Sequence, residues 1–234
     1  VEARKAHMER EKELTRMRDA LRAERRDLPW LEIDKEYAFA DADGSHRLPE
    51  LFSGHSQLIV YHFMFGPDWE EGCPSCSFWA DNFDGIPVHL VPRDTAFVAI
   101  SRASVAQIDA YAKRLGWIFP WYSSAGSDFN FDMGVSYEPT DEKPTGNYNF
   151  GTGSFGSEEA PGVSVFTGAD DGRLFLTYQT FTRGLDILNG AYHYLDLTPK
   201  GRDEDGLPWP MAWVARNDAY ENWEGVRSLS LIHI

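Results

Sequence analysis

The sequence predicts an α/β domain whose central mixed sheet is flanked by helices, and three stretches carry that prediction. In "QLIVYHFMF" residues 58–65 are apolar on both faces except at His62, as befits a strand in the middle of a sheet covered on both sides. In "TAFVAISRASVAQIDAYAKRLGW" a second buried strand at 96–100 runs into a helix over 105–115, and this β-α-β order implies a parallel core. "GVSVFTGADDGRLFLTYQTF" has the form of an antiparallel hairpin, with strands at 163–166 and 173–178 turned at Asp171 and Gly172.

The remaining elements follow in order. Leu14, Met17 and Leu21 stand at helical spacing within 5–27 and a stop follows at "LPW", so an amphipathic helix is expected there. Residues 1–27 carry nine basic and seven acidic side chains, a solvated face with a narrow apolar stripe that packs on its own domain or on a second copy in a homodimer. A short strand at 37–40, a turn at Asp43 and Gly44 and a short helix at 48–52 lead into the central strand. Ser104 is the expected N-cap and Gly116 the C-cap of the 105–115 helix, with a third strand or turn at 117–122. Residues 123–162 are rich in Gly, Ser, Asn, Asp and Pro and are expected to form a long loop. Within it Gly151, Gly153 and Gly156 match a dinucleotide fingerprint by letters alone, since no buried strand leads in and "SEEAPG" opens no long helix. A last helix is expected at 185–194, then a surface-wrapped tail rich in Pro, Gly and Trp. Its final residues, "SLSLIHI", read as unrelated appended sequence.

Composition limits the function. Aromatic content of 14% and hydrophobic content of 42% belong to a folded chain. A net charge of −15 repels a phosphate backbone, so nucleic acid is not an expected partner. No run approaches the length of a membrane span, and no secretory or transit signal is visible at the start, which together predict a cytoplasmic protein.

The only two cysteines, Cys73 and Cys76, fall in "FMFGPDWEEGCPSCSFWADNF", just after the central strand. Pro74 directly after Cys73 suits the first position of a helix, where a missing N–H costs nothing, and this makes Cys73 the N-cap. Free amides at such a site stabilise a thiolate and lower its pKa from about 8.5 toward roughly 3.5 to 7.5. Cys76, one turn on, is placed to close a disulfide and is less able to ionise. The pair therefore suits thiol-disulfide exchange, with Cys73 as nucleophile and Cys76 as resolving thiol. A zinc site would need two further ligands, for which His62 and His89 are the candidates. No second cysteine pair exists, so neither metal nor cofactor is expected. His62 is expected to be a hydrogen-bonded core histidine. Trp69 and Trp79 are both candidate covers for the disulfide, although packing is the commoner role of such large aromatics.

Element order and motif together resemble the thioredoxin superfamily: an extension, a central strand, Cys-x-x-Cys on a helix, β-α-β, a hairpin and a helix. More closely, "EKELTRMRDALRAERRDLPW", "QLIVYHFMFGPDWEEGCPSCSFWAD", "RLGWIFPWYSSAGSDFNFD" and "YHYLDLTPKGRDE" resemble the bacterial family DUF899 over nearly the whole chain. The resemblance implies a thioredoxin-like domain at 35–198 between an N-terminal helical extension, 1–34, and a C-terminal extension, 199–234. It also implies a cis-proline before the hairpin that faces the dithiol, a place Pro161 would take. Substrate contacts would then fall on Pro161, Trp69 and Pro74, and the partner would be a protein or small-molecule disulfide. The peroxiredoxin branch instead carries Pro-x-x-x-Thr-x-x-Cys. In this chain the third residue before Cys73 is Glu70, Pro67 is one place too near, and a carboxylate there would disfavour the thiolate. Thiol peroxidase is therefore the second expectation, and a non-enzymatic adaptor on the same scaffold the third.

Overall fold

Period-two alternation along two adjacent strands sorts their side chains onto opposite faces, and the molecule is built outward from that pair. The computed structural model describes residues 1–138, 148–153 and 155–220. Parts of the expected 123–162 loop, namely 139–147 and residue 154, and the end of the tail from 221 with "SLSLIHI", lie outside the described residues. In chain order the elements are α1 (Glu2–Arg26), β1 (Leu31–Ile33), β2 (Ala38–Asp41), β3 (Gly44–Arg47), α2 (Leu48–Leu51), β4 (Gln57–His62) and α3 (Pro74–Ala80). There follow α4 (Pro87–Leu90), β5 (Thr95–Ser101), α5 (Val105–Leu115), β6 (Trp121–Ser123), α6 (Phe129–Asp132), β7 (Gly162–Gly168), β8 (Leu174–Phe181) and α7 (Gly190–Leu195).

The strands form one sheet in the order β1-β8-β7-β4-β5-β6-β2-β3. β4, β5 and β6 run parallel, and β7 pairs antiparallel with β4 on the other side. Tyr61 of β4 and Phe97 and Ala99 of β5 face a core shared with α3, α5 and α7. Leu58 and Val60 with Val98 and Ile100 face a second core beneath α2 and α6. Each fully buried aromatic, such as Phe63 or Phe166, contributes about 1.5 to 3 kcal/mol relative to exposure. A central strand, a helix that begins at the cysteines, a β-α-β crossover, a hairpin and a closing helix make this a thioredoxin-like fold, widened by β6 and the β2-β3 hairpin on one side and β1 on the other.

Several elements differ from the sequence expectation. β4 stops at His62 because, after a last bond from Phe63 N–H to Ile100 O (2.9 Å), the backbone of 64–65 turns to other loops: Cys73 N–H donates to Met64 O (3.0 Å) and Ala103 N–H to Phe65 O (2.8 Å). The third strand is confined to 121–123. The helix expected at 185–194 divides into a 3-10 segment, Thr182–Leu188, and α7, because the Asn189 side chain caps a new start by accepting from Tyr192 N–H. β1, β3 and α6 are short and were not foreseen. The apolar stripe of α1 is not buried within the described chain: no residue of the helix is buried, and Met17 is 63% exposed.

Candidate active site

The chain leaves β4, loops through 66–72 and returns to begin α3 over the carboxyl end of the sheet. Two glycines permit that return. A Cβ on Gly66 would lie 2.8 Å from Trp69 Nε1, and one on Gly72 would lie 2.7 Å from Phe63 Cε1 and 3.0 Å from Tyr111 Cε1. Cys73 is the N-cap of α3 and Pro74 its first residue, as the sequence predicts. The Cys73 carbonyl accepts from Ser77 N–H (3.0 Å) and Ser77 Oγ (2.9 Å), which fixes the first turn.

The two thiols, both free, differ in environment. Cys73 is partly exposed, whereas Cys76 is 2% exposed and its Sγ accepts the Met64 N–H at 3.5 Å. The neighbouring Cys76 thiol and, more weakly, the backbone amides of Cys76 and Ser75 outweigh the opposing effect of burial, so the Cys73 pKa is lowered to about 7. α3 has only seven residues, so these individual contacts matter more than any helix macrodipole. Burial, and then the neighbouring Cys73, push the Cys76 thiol well above the ordinary range.

Tyr61 of β4 shares the buried cluster that holds Cys76, and burial, followed by the nearness of Cys76, raises its phenol well above its usual value. The Tyr148 hydroxyl donates to Pro161 O (2.9 Å) and accepts from Thr182 N–H (3.2 Å). Burial, together with the nearby Cys76, raises the Tyr148 phenol to about 12.

The other expected residues are placed as follows. His62 pairs with Gly162 across β4 and β7, so Pro161 follows at the level of Phe63, at the sheet end that carries the dithiol. Its preceding peptide bond is trans, which corrects the cis-proline expectation, and its carbonyl accepts from the Tyr148 hydroxyl. Trp69 is half-buried against the same aromatic cluster as Cys73, and its indole donates to Glu158 Oε1 at 2.7 Å. Pro74 and Glu70 are exposed. Trp79 is a packing residue, its indole bonded to Leu185 O at 2.8 Å. His62 faces the opposite core, where its Nε2 lies 2.7 Å from Ser164 Oγ, and His89 is exposed on α4, so neither joins the cysteines. Among the described residues no group of three His, Cys, Asp or Glu side chains is arranged to hold a metal ion. Gly151 lies in a turn, Gly156 in a bend and Gly153 in irregular chain, without the strand-to-helix context of a dinucleotide site. Among the described residues no helix is long and apolar enough to cross a membrane.

Sequence reasoning missed Tyr61, Ser77, Tyr111 and Arg216. Tyr61 was recoverable, since alternation puts it on the face opposite His62. Ser77 was recoverable at one helical turn from Cys73. Arg216, 144 residues from Gly72, left no local signal.

Strand order and the paired cysteines at a helix start define a protein of the thioredoxin-like class. More closely, the chain belongs to the family described as bacterial protein of unknown function, DUF899, whose model matches residues 1–220. No match is found among curated proteins. Among solved structures, peroxidoxin BcpB from Mycobacterium tuberculosis is similar at 15% identity, covering 66% of this chain and 89% of that one, with a TM-score of 0.44. Peroxiredoxin Q from Xanthomonas campestris is similar at 14% identity, over 68% and 87% of the two chains, with a TM-score of 0.43. A hypothetical protein from Sinorhizobium meliloti 1021 is similar at 15% identity, over 72% and 81%, with a TM-score of 0.42. Likenesses this distant add nothing to what the strand order already defines.

Proposed function

We propose that the protein is a thiol-disulfide oxidoreductase acting on protein or small-molecule disulfides through Cys73 and Cys76. The observation that supports this reading is the asymmetry of the pair: a partly exposed thiol held near neutrality by donors beside a buried thiol held protonated. The Cys73 thiolate attacks one sulfur of the substrate disulfide, forming a mixed disulfide and releasing the other sulfur as a thiolate that takes a proton. Cys76 then loses its proton and attacks Cys73 Sγ, which releases the second substrate thiol and leaves a Cys73–Cys76 disulfide. Two electrons pass from the dithiol to the substrate, and the reverse sequence would oxidise a substrate dithiol. Trp69, Pro74 and Pro161 border this end of the sheet and are the proposed substrate contacts. The proposed setting is cytoplasmic, where a closely spaced cysteine pair serves exchange and not structural cross-linking.

Reduction of insulin or of a small aromatic disulfide tests the proposal. Wild type is expected to turn over, Cys73→Ser to be inactive, and Cys76→Ser to stop at a trapped mixed disulfide. Equal rates for wild type and Cys73→Ser would remove the enzymatic reading.

A further inference from the structure

We infer that Arg216, on the C-terminal extension, is a positioning residue for the Cys73 thiol, holding the peptide unit through which the chain enters α3. The inference rests on the oxidoreductase reading and goes beyond it, because it gives the C-terminal extension a part in the reaction.

The extension returns across α3 and α5 and is fastened on both sides of residue 216. The Trp213 ring packs edge-on against Phe78 of α3 with centroids 5.4 Å apart. Asn217 Nδ2 donates to Asp81 Oδ1 (2.7 Å) and Leu115 O (3.1 Å), and Asp218 accepts from Arg114 Nε at 2.6 Å. Between these anchors all three guanidinium nitrogens of Arg216 are used: Nη2 donates to Gly72 O (2.8 Å), Nε to Tyr111 Oη (2.7 Å), and Nη1 lies 2.8 Å from Glu71 Oε2.

The Gly72–Cys73 peptide is thus pinned at both ends. Its oxygen is held by Arg216, with Tyr111 Oη 3.2 Å away, and its N–H is held by Met64 O at 3.0 Å. Tyr111 Oη also lies 3.0 Å from Ser77 Oγ, which donates to the Cys73 carbonyl. One network therefore sets the backbone on both sides of Cys73 and with it the direction of the Cα–Cβ bond. The thiolate gains from the Ser75 and Cys76 amides only while that direction is kept. The ionisable groups around this junction are Cys76 of α3, Tyr61 of β4, Tyr111 and Arg114 of α5, and Glu71 of the loop. Lysine could replace the charge of Arg216 but could not span three acceptors with one rigid fork.

The test follows Cys73 alkylation by iodoacetamide against pH in the reduced full chain, resolved from Cys76 by peptide mass spectrometry, with the thermal midpoint of each variant recorded. Arg216→Ala is expected to move the alkylation midpoint up by about one unit and so slow the reaction about fivefold at pH 7, where half of the wild-type thiol is ionised. Arg216→Lys is expected to recover part of that loss. Asn217→Ala, which loosens the same segment without touching the Gly72 peptide, is expected to lower the thermal midpoint and leave the alkylation midpoint in place. Should the alanine variant not fold, Arg216→Gln and Tyr111→Phe are each expected to move the midpoint in the same direction. Arginine variants that alkylate as wild type does would overturn the positioning role, as would Asn217→Ala moving the midpoint as far as they do. A wild-type midpoint equal to that of free cysteine would instead overturn the oxidoreductase reading on which the inference rests.

Discussion

Gly72 is where the geometry of the thiol pair meets its tightest packing. Its missing side chain lets the chain pass between the rings of Phe63 and Tyr111, both buried and both held in the aromatic cluster around Trp117 and Trp121. Neither ring has free space to retreat into, so Gly72→Ala is expected to destabilise by about 1 to 3 kcal/mol, the usual range for overpacking a dense core. Urea denaturation measures that loss. Because the displaced segment enters α3, slower Cys73 alkylation is expected to accompany it, and a variant with native stability and native reactivity would contradict this account. At this scale the sequence was legible where the signal is local. Pro74 next to Cys73 was enough to place the helix start, since a proline's missing N–H and fixed φ suit the first helical position. The partners that complete the site come from β4, α5 and the far end of the chain, and only the fold brings Tyr61, Tyr111 and Arg216 to the same place.

Elements with their own start and stop chemistry were readable to the residue. α5 begins at Ser104, which joins Gln107 in a reciprocal capping box, and ends at Gly116 in the left-handed conformation with φ of 81°. β4 was read three residues too long because 63–65 remain apolar, and apolarity does not distinguish a ladder from a loop buried beneath a helix. β1 escaped because three largely exposed residues show no alternation. The helical pattern of α1 was plain, and its burial did not follow: mean hydropathy is low and the stripe is narrow, so the helix forms without burying any of its own residues. Deleting residues 1–26 is therefore expected to shift unfolding stability by no more than about 1 kcal/mol, the scale of the Arg25 stacking on Tyr178 that would be lost. Chemical denaturation of the full and truncated chains provides the comparison. A midpoint that rises with protein concentration in the full chain alone would place α1 in an interface between two copies.

For the whole molecule, the unbroken apolar run of 58–65 pointed to a sheet covered on both faces, which the two cores bear out, and with it to the placing of His62 inside a core. Which core, and how the ring is satisfied, depended on the register that sets β7 beside β4 and β8 beside β7, and the sequence shows no sign of that register. His62 is 1% exposed, bonded through Nε2 to Ser164, which also receives Gln179 Nε2 at 3.1 Å, while Nδ1 has no partner among the described residues. Burial lowers its pKa from 6.5 to about 3, so the folded protein keeps the ring neutral over a range in which the unfolded chain protonates it. Between those values the unfolded state binds the extra proton, so stability rises with pH, by up to about 1.4 kcal/mol per unit for one full proton. The contribution is complete above pH 6.5 and is lost as pH falls toward 3. His62→Gln keeps a donor for Ser164 and removes the titration. Glu159, raised by burial, acts with the opposite sign but does so in both proteins, so the difference between them isolates His62. Urea denaturation at a series of pH values is expected to show the variant less stable than wild type near neutrality, with the gap narrowing as the solution is acidified. A gap that stays constant from neutral to acid pH would mean that the ring is protonated in the folded core after all.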